Sequence, residues 1–478
     1  MASHPGEFLY HRLPVLLQNA IVARRGRELF RLRFGPDYPP VARFLEETER
    51  WSWDELRAYQ DERLRLVIRH AWETVPYYRD VMDERRLTPS DIQCADDLHK
   101  LPVLTKEDVR AQGDRLISSE YPKRTLRQVW TSATTSSPLA VCWDHAVDLM
   151  NHACYMRARR WAGVPFGVPF ASMHGGPAVP ITQKGPPFWR YNPKWHQVFF
   201  STLHLSDENL VHYIAELRRF GARAFETYPS CAYVVAKFLE SREDYLPLDA
   251  VILTGEPLFA HERESIEERF QAEIFDAYGQ AERVSFSSEC TAHTGQHLAA
   301  EYGITEFLSE DGERVGPGAP GLLVGTGLHN MAMPLIRYVV GDVGSYSEKP
   351  CPCGRPHRLM RELTSRVGDL LVTPDGRMIP SRMISWAVRA IEDVSLWRVT
   401  QERPDEILIE VVREAPLTAE DIENAREYLG RRLGPDVHAE IVRVDDLPRT
   451  ARGKFRHAIS KVPLAWGTPN RSTRNPEF

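Results

Sequence analysis

The chain has 478 residues, 42% hydrophobic and 26% charged, the balance of a soluble globular protein long enough for more than one core. A formal net charge of −6 offers no basic field to a nucleic-acid partner. The lack of an export signal implies the cytoplasm, and seven cysteines, an odd number in a chain expected to stay in a reducing compartment, argue against a disulfide framework.

The first distinctive stretch, "LPVLLQNAIVARRGRELFRLRF", puts a short apolar run ahead of its arginines. That order reverses a secretory signal, and the run is too short to span a bilayer. It reads as an amphipathic helix without membrane insertion, with peripheral membrane contact the lesser alternative. Further on, the strand-like "LRQVW" leads into "TSATTSSPLA", a hydroxyl-rich loop at residues 131–140. "DHAVDLMNHACYMRARRWAG" then predicts a helix with Asp144 as N-cap and Val147, Met150, Cys154 and Ala158 on one face. A second helix starts at Ser206 and stops at Gly221, followed by the strand "ARAFETYP". "AVILTG" (250–255) reads as a buried strand, "AHERESIEERFQ" as an exposed helix and "EIFDAYG" (273–279) as the next strand. This alternation predicts an α/β fold.

Past about residue 365 the pattern changes. "DLLVTPDGRMIP" predicts a hairpin around Pro374, Asp375 and Gly376, and "SLWRVTQERPDEILIEVV" a second around Pro404 and Asp405. A helix follows, opened by a capping box of Thr418 and Asp421 and closed by Gly434. "AEIVRV" reads as the last strand and "GTPNRSTRNPEF" as a loose tail. The expected organisation is a large domain over residues 1–365 and a small α+β domain over 366–478.

Four short motifs follow the hydroxyl-rich loop: "LTGEPL" (253–258), "DAYGQAE" (276–282), "PLIRYVVGDVG" (334–344) and "PRTARGK" (448–454). Each alone is weak. In this order they resemble the motif series of the adenylate-forming superfamily, which holds acyl-CoA synthetases and peptide-synthetase adenylation domains. The resemblance runs from about residue 60 to 460. Within the superfamily, "HAWETVPYYRDVM", "LPVLTKEDVR", "FETYPSCAYVVAKFL" and "CPCGRPHRL" are similar to the phenylacetate–CoA ligase branch and its CapK-like subgroup.

The resemblance implies a large ATP- and carboxylate-binding domain of several subdomains, and a small domain rotating about a hinge near Arg366 to Asp369. It implies that Thr131, Ser132, Thr134 and Thr135 contact phosphate, and that Gly255, Glu256 and Pro257 line the adenine side. Tyr278, beside Gly279, would stack on or flank the base, Glu282 would hold Mg²⁺, and Asp342 would accept the ribose hydroxyls. Arg366 matches the arginine that opens the small domain, and Lys454 the lysine that reaches the carboxylate and α-phosphate. The implied chemistry is acyl-AMP formation from ATP and a carboxylic acid with release of pyrophosphate, then transfer to a thiol, coenzyme A, or to an amine.

Two segments depart from the family pattern. The loop carries Ala133 and Ser136 where glycines stand and Ser137 where lysine often stands, so the phosphate grip is expected to be weaker. The hinge reads "SRVGD", with Ser365 and Gly368 in place of glycine and aspartate. These changes motivate a competing reading, a catalytically degenerate nucleotide- or acyl-binding protein of the same fold. For the acid pocket, His204 and Tyr228 are candidates. Cys231 reads as a small apolar residue opening a helix rather than as an acyl-carrying nucleophile. "ECTAHTGQH" and "CPCG" supply Cys290, His297, Cys351 and Cys353, a Cys₃His set suited to a structural Zn²⁺, with His293 and His357 as alternative fourth ligands. A homodimer is left open.

Overall fold

Side-chain caps mark where the chain turns helical. The Asp144 carboxylate accepts from Val147 N ahead of the helix His145–Trp161. Ser206 accepts from Asn209 N ahead of Asp207–Phe220, which Gly221 ends at φ +70°, a conformation that favours glycine. The computed structural model describes residues 9–130, 139–174, 178–180, 182–256, 258, 260–309, 312–319, 321–364, 370–375, 377–380, 384–388, 390–391, 394, 396–445, 447 and 458–462. Thr131, Ser132, Thr134, Thr135, Pro257, Arg366 and Lys454 lie outside them, as do the expected hinge and tail.

The strands, in chain order, are β1 (Arg127–Trp130), β2 (Ala140–Trp143), β3 (Phe170–Met173), β4 (Trp189–Asn192), β5 (Gln197–Phe200), β6 (Ala224–Thr227), β7 (Ala250–Thr254), β8 (Glu273–Gly279), β9 (Phe286–Glu289) and β10 (Gln296–Leu298). They continue with β11 (Gly303–Leu308), β12 (Gly321–Gly327), β13 (Tyr338–Ser347), β14 (Leu359–Thr364), β15 (Leu370–Val372), β16 (Met378–Pro380), β17 (Leu396–Arg403), β18 (Glu406–Val412), β19 (His438–Val444) and β20 (Ala458–Ser460). Twelve form one mixed sheet in the order β11-β12-β13-β14-β10-β9-β8-β7-β6-β3-β5-β4. Within it β8, β7, β6, β3 and β5 run parallel, and the strands from β9 to β11 pair antiparallel. The parallel strands β3 and β6 are buried along their whole length, as expected where helices cover both faces.

β1 and β2 form a separate hairpin that brackets the hydroxyl-rich loop. The two hairpins predicted beyond residue 365 are present as β15–β16 and β17–β18, and Thr418 and Asp421 cap the helix Ala419–Leu433 as read. "AEIVRV" is not the last strand: β20 follows it and pairs parallel with β17, completing the four-stranded sheet β19-β18-β17-β20. Leu371, Ile379, Trp397 and Leu429 of this region pack into the same core as Met173, Phe188, Tyr213 and Val235. Arg377 joins the two parts: Nη1 donates to Leu203 O (2.6 Å) and Arg432 O (2.9 Å), while Nη2 donates to Leu433 O.

At the far edge, the helix Val15–Arg33 covers β4. Arg190 Nε donates to Gln18 Oε1 (2.8 Å), Tyr191 N donates to Asn19 Oδ1 (3.0 Å), and Trp195 Nε1 donates to Gly26 O (2.8 Å). Gly26 lets the helix lie close on Asn192: a Cβ there would sit 1.9 Å from Asn192 Oδ1 and displace that side chain. Covering the edge removes a template for strand pairing with another chain. Among the described residues, no helix is long and apolar enough to cross a membrane.

Candidate active site and metal centre

The C-terminal ends of adjacent parallel strands form the crevice in which open α/β sheets bind ligands. Here β8 ends at Tyr278 and Gly279, and Gly255, Tyr228 and His174 directly follow β7, β6 and β3. Gly255 takes φ +81°, the left-handed turn that lets the chain leave β7 sharply before Glu256. Tyr228 precedes Pro229, which opens the helix Pro229–Ser241, and its ring lies 6.3 Å from that of His174. By strand spacing, Tyr228 stands two strands, roughly 10 Å, from the Tyr278 position.

His204 is further off, past the end of β5 and four strands, roughly 19 Å, from β8. It is buried, with Nδ1 2.7 Å from Ser201 Oγ and its ring stacked 5.0 Å from Phe188. Cys231 is fully buried in the core at the start of its helix, as read.

Two hydrogen bonds draw the distant motifs together. Tyr278 Oη donates to Asp342 Oδ2 (2.9 Å), joining β8 to β13 across 64 residues of sequence. Gly341, at φ +92°, sits where the register of β13 against β12 shifts, immediately before Asp342. Tyr338 Oη donates to Glu282 Oε1 (2.8 Å), fixing a carboxylate that is 5% exposed. Trp143 Nε1 donates to Ala281 O (2.8 Å) and ties the β1–β2 hairpin to the same turn.

Arg337, just before Tyr338, holds φ +52°, which costs an L-residue roughly 1–2 kcal/mol. Its side chain donates to Leu101 O (2.7 Å) and Glu306 Oε2 (3.2 Å), so buried contacts on both sides enforce that backbone. Tyr338, Trp143 and Arg337 were not singled out from sequence. Tyr338 stands inside "PLIRYVVGDVG", but its partner lies 56 residues upstream and no local pattern announces the contact.

β8 and β9 also carry a carboxylate pair, Glu289 buried and Asp276 half-buried. Glu289 accepts from Arg263 Nη2 on both oxygens (2.8 Å each), and its Oε2 accepts from Asp276 N (3.1 Å). Asp276 Oδ2 accepts from Gln296 Nε2 (2.6 Å). Burial, reinforced by the Glu289 charge, pushes the Asp276 carboxyl up to about 7.

Cys290, His297, Cys351 and Cys353 converge, with one ligand atom from each and all four atoms within 4.8 Å of one another. Cys290 Sγ lies 3.7 Å from Cys351 Sγ, and His297 Nε2 lies 3.2 Å from Cys290 Sγ and 3.4 Å from Cys353 Sγ. Tetrahedral zinc with ordinary bond lengths puts sulfurs about 3.8 Å apart and sulfur about 3.6 Å from nitrogen, so the donors fit that ion. Burial, then the neighbouring His357, Arg355 and Arg157, lowers His297 to about 3, keeping the imidazole neutral as ligation requires. His357 Nε2 is instead engaged by Glu301 (3.0 and 3.1 Å), and His293 Nδ1 by Glu289 (3.4 Å), so neither alternative is in the cluster.

A twelve-stranded mixed sheet and a small C-terminal α+β sheet make up an α/β fold that is similar to those of solved CoA ligases. A solved structure of 2-hydroxyisobutyryl-CoA ligase, with 2-HIB-AMP and CoA, aligns at TM-score 0.56 and 20% identity, covering 87% of this chain and 91% of that one. Residues 371–461 match the CapK C-terminal domain. Protein CapK of Staphylococcus aureus is 24% identical over 462 residues, 95% of this chain and 99% of the relative. A phenylacetate-coenzyme A ligase of Thermus thermophilus is 24% identical over 423 residues, 87% and 92% of the two chains. The chain is thus similar to CapK and to phenylacetate-coenzyme A ligases.

Proposed function

We propose that the chain is an ATP-dependent, AMP-forming carboxylate ligase. The observation that carries this reading is the linkage of Tyr278 to Asp342 and of Glu282 to Tyr338 beside the parallel strand ends. An aromatic ring to flank a base, a carboxylate to accept ribose hydroxyls and a second carboxylate for a cation thereby share one crevice. Among the described residues, Tyr338 is the hydrogen-bond partner of Glu282 and uses Oε1, leaving Oε2 for Mg²⁺, a hard cation suited to carboxylate oxygen and phosphate.

In the first half-reaction a carboxylate oxygen of the acid bonds to the α-phosphorus of ATP. The bond from that phosphorus to the bridging oxygen breaks, and pyrophosphate leaves with the electron pair. In the second, an acceptor thiol gives up its proton and bonds to the acyl carbon, and AMP leaves. Lys454 would offset charge developing at the carboxylate and α-phosphate, and the small domain, residues 366–478, would turn between the halves with Arg366 near its hinge. Thr131, Ser132, Thr134 and Thr135 would donate to phosphate, with Gly255, Glu256 and Pro257 beside the adenine.

Tyr228, beside His174, is the better-placed candidate for the acid pocket, and His204 would contribute at its far end. Relatives named phenylacetate-coenzyme A ligase support coenzyme A as acceptor over an amine. The donor distances around Cys290, His297, Cys351 and Cys353 support a structural zinc that pins β10 and the loops beside β9 and β14.

The test is acid-dependent pyrophosphate release with a panel of aryl, fatty, amino and hydroxy acids, followed by coenzyme A consumption with the responding acid. Release that requires an acid and then consumes coenzyme A supports the reading. ATP binding without release from any acid would favour the degenerate nucleotide-binding alternative.

A further inference from the structure

The helix Val15–Arg33 packs Leu29 and Phe30 inward but carries large apolar side chains on its outer face as well, more than a helix that only seals a sheet edge needs. Its fully buried residues are Gln18 and Gly26, whereas Leu16 is 79%, Leu17 47% and Ile21 42% exposed. Leu32, 47% exposed, lies on the same face, and Leu9, 64% exposed, stands just ahead of the helix. Five of the ten exposed large apolar side chains among the described residues therefore lie between positions 9 and 32. The aromatic residues of the segment turn inward instead. Tyr10 Oη donates to Ala178 O (2.7 Å), while Phe30 and Phe34 pack against Trp195 and Phe166.

Charge accompanies this apolar surface. Residues 9–33 carry six arginines and one glutamate in a chain whose formal net charge is −6. Arg24 and Arg25 share Glu28, at 3.2 Å each, and Arg27 and Arg31 have no acidic partner among the described residues. Exposed leucines lead and arginines follow along one helix face. Leu16 and Arg31 are separated by roughly 22 Å of helix, so the whole length faces outward.

We propose that this face docks on an anionic lipid surface, with Leu9, Leu16, Leu17 and Ile21 entering the headgroup–acyl boundary and Arg24, Arg25, Arg27 and Arg31 meeting lipid phosphates. Anionic lipid matches both halves of the surface, aliphatic and basic. A two-fold contact along this face would be antiparallel and set the arginines of one copy against the leucines of the other, leaving those charges without acidic partners. Protein-binding patches commonly present aromatic anchors, and here the aromatics are turned inward. The docking is independent of the ligase reading.

The test is sedimentation of the full chain with vesicles of phosphatidylcholine alone, or with roughly a third phosphatidylserine. The expected result is binding to the mixed vesicles that weakens with added salt and is much lower on phosphatidylcholine alone. Leu16→Ser with Leu17→Ser should abolish it. Arg27→Gln with Arg31→Gln should reduce it roughly 25-fold, about fivefold per arginine. Both pairs lie on the exposed face, so the two variants probe docking separately from folding. No association with mixed vesicles, equal binding to both lipids, or binding untouched by both variants would overturn the proposal. So would a dimer in solution that the leucine variant dissociates, which would assign the face to a second copy.

Discussion

Tyr278→Phe isolates a single atom of the proposed nucleotide site. The substitution keeps the ring, 92% buried between β8 and its neighbours, and removes the hydroxyl that donates to Asp342 Oδ2 at 2.9 Å. A hydrogen bond to a charged group contributes about 1.5–3 kcal/mol when buried. Asp342 is only partly buried, so water can replace part of that contact and the lower end applies, about 1–1.5 kcal/mol. Were Asp342 the ribose acceptor, losing the contact that orients it would weaken ATP recognition by roughly five- to twelvefold. Initial rates of pyrophosphate release against ATP concentration should show KM for ATP rising by that factor, with kcat within about twofold. An unchanged KM for ATP, or a fall in kcat alone, would refute the assignment of Asp342 to the ribose.

Three further outcomes follow from contacts outside that pair. The purified protein should contain one zinc per chain by elemental analysis, and Cys351→Ser should lower both the zinc content and the melting temperature; zinc-free wild-type protein would contradict the metal assignment. Because the folded Asp276 carboxyl is raised to about 7, the unfolded chain ionises first, so this group lowers stability progressively as pH rises from about 4 to 7 and by a constant amount above. Urea unfolding should therefore find Asp276→Asn more stable than wild type by a few kcal/mol at pH 8 and much less so at pH 5; a difference independent of pH would be the contrary result. Arg377→Ala leaves Leu203 O, Arg432 O and Leu433 O short of a donor, and hydrogen exchange at residues 377–380 and 429–433 should rise by at least tenfold. Unchanged exchange there would show that Arg377 does not join the small sheet to the loop after β5.

Sequence patterns captured the elements that local chemistry determines. Asp144, Ser206 and Thr418 announce helix starts because their side chains satisfy the first free N–H groups, and Gly221 announces a stop because φ +70° favours glycine. The strands β6, β7 and β8 were legible as short apolar runs between helices. The antiparallel half of the sheet was not read, since β9 and β10 are four- and three-residue strands rich in serine, glutamine and histidine. β20 escaped for a similar reason: a three-residue strand earns its pairing from β17, some sixty residues upstream. In the candidate site, Tyr278, Glu282 and Asp342 were legible through motif order, whereas their hydrogen-bonded pairing depends on sheet register. The metal cluster shows the same division. Sequence offered three histidines, and only folding assigns His357 to Glu301 and His293 to Glu289, leaving His297 with the thiols.

The most direct test of the central claim is ATP–pyrophosphate exchange across the acid panel, run on the wild-type chain and on Lys454→Ala, with ATP binding measured in both. Adenylate formation predicts exchange that requires one acid class and falls at least a hundredfold in the variant while ATP still binds. ATP binding without exchange from any acid, or exchange that Lys454→Ala leaves unchanged, would contradict the account.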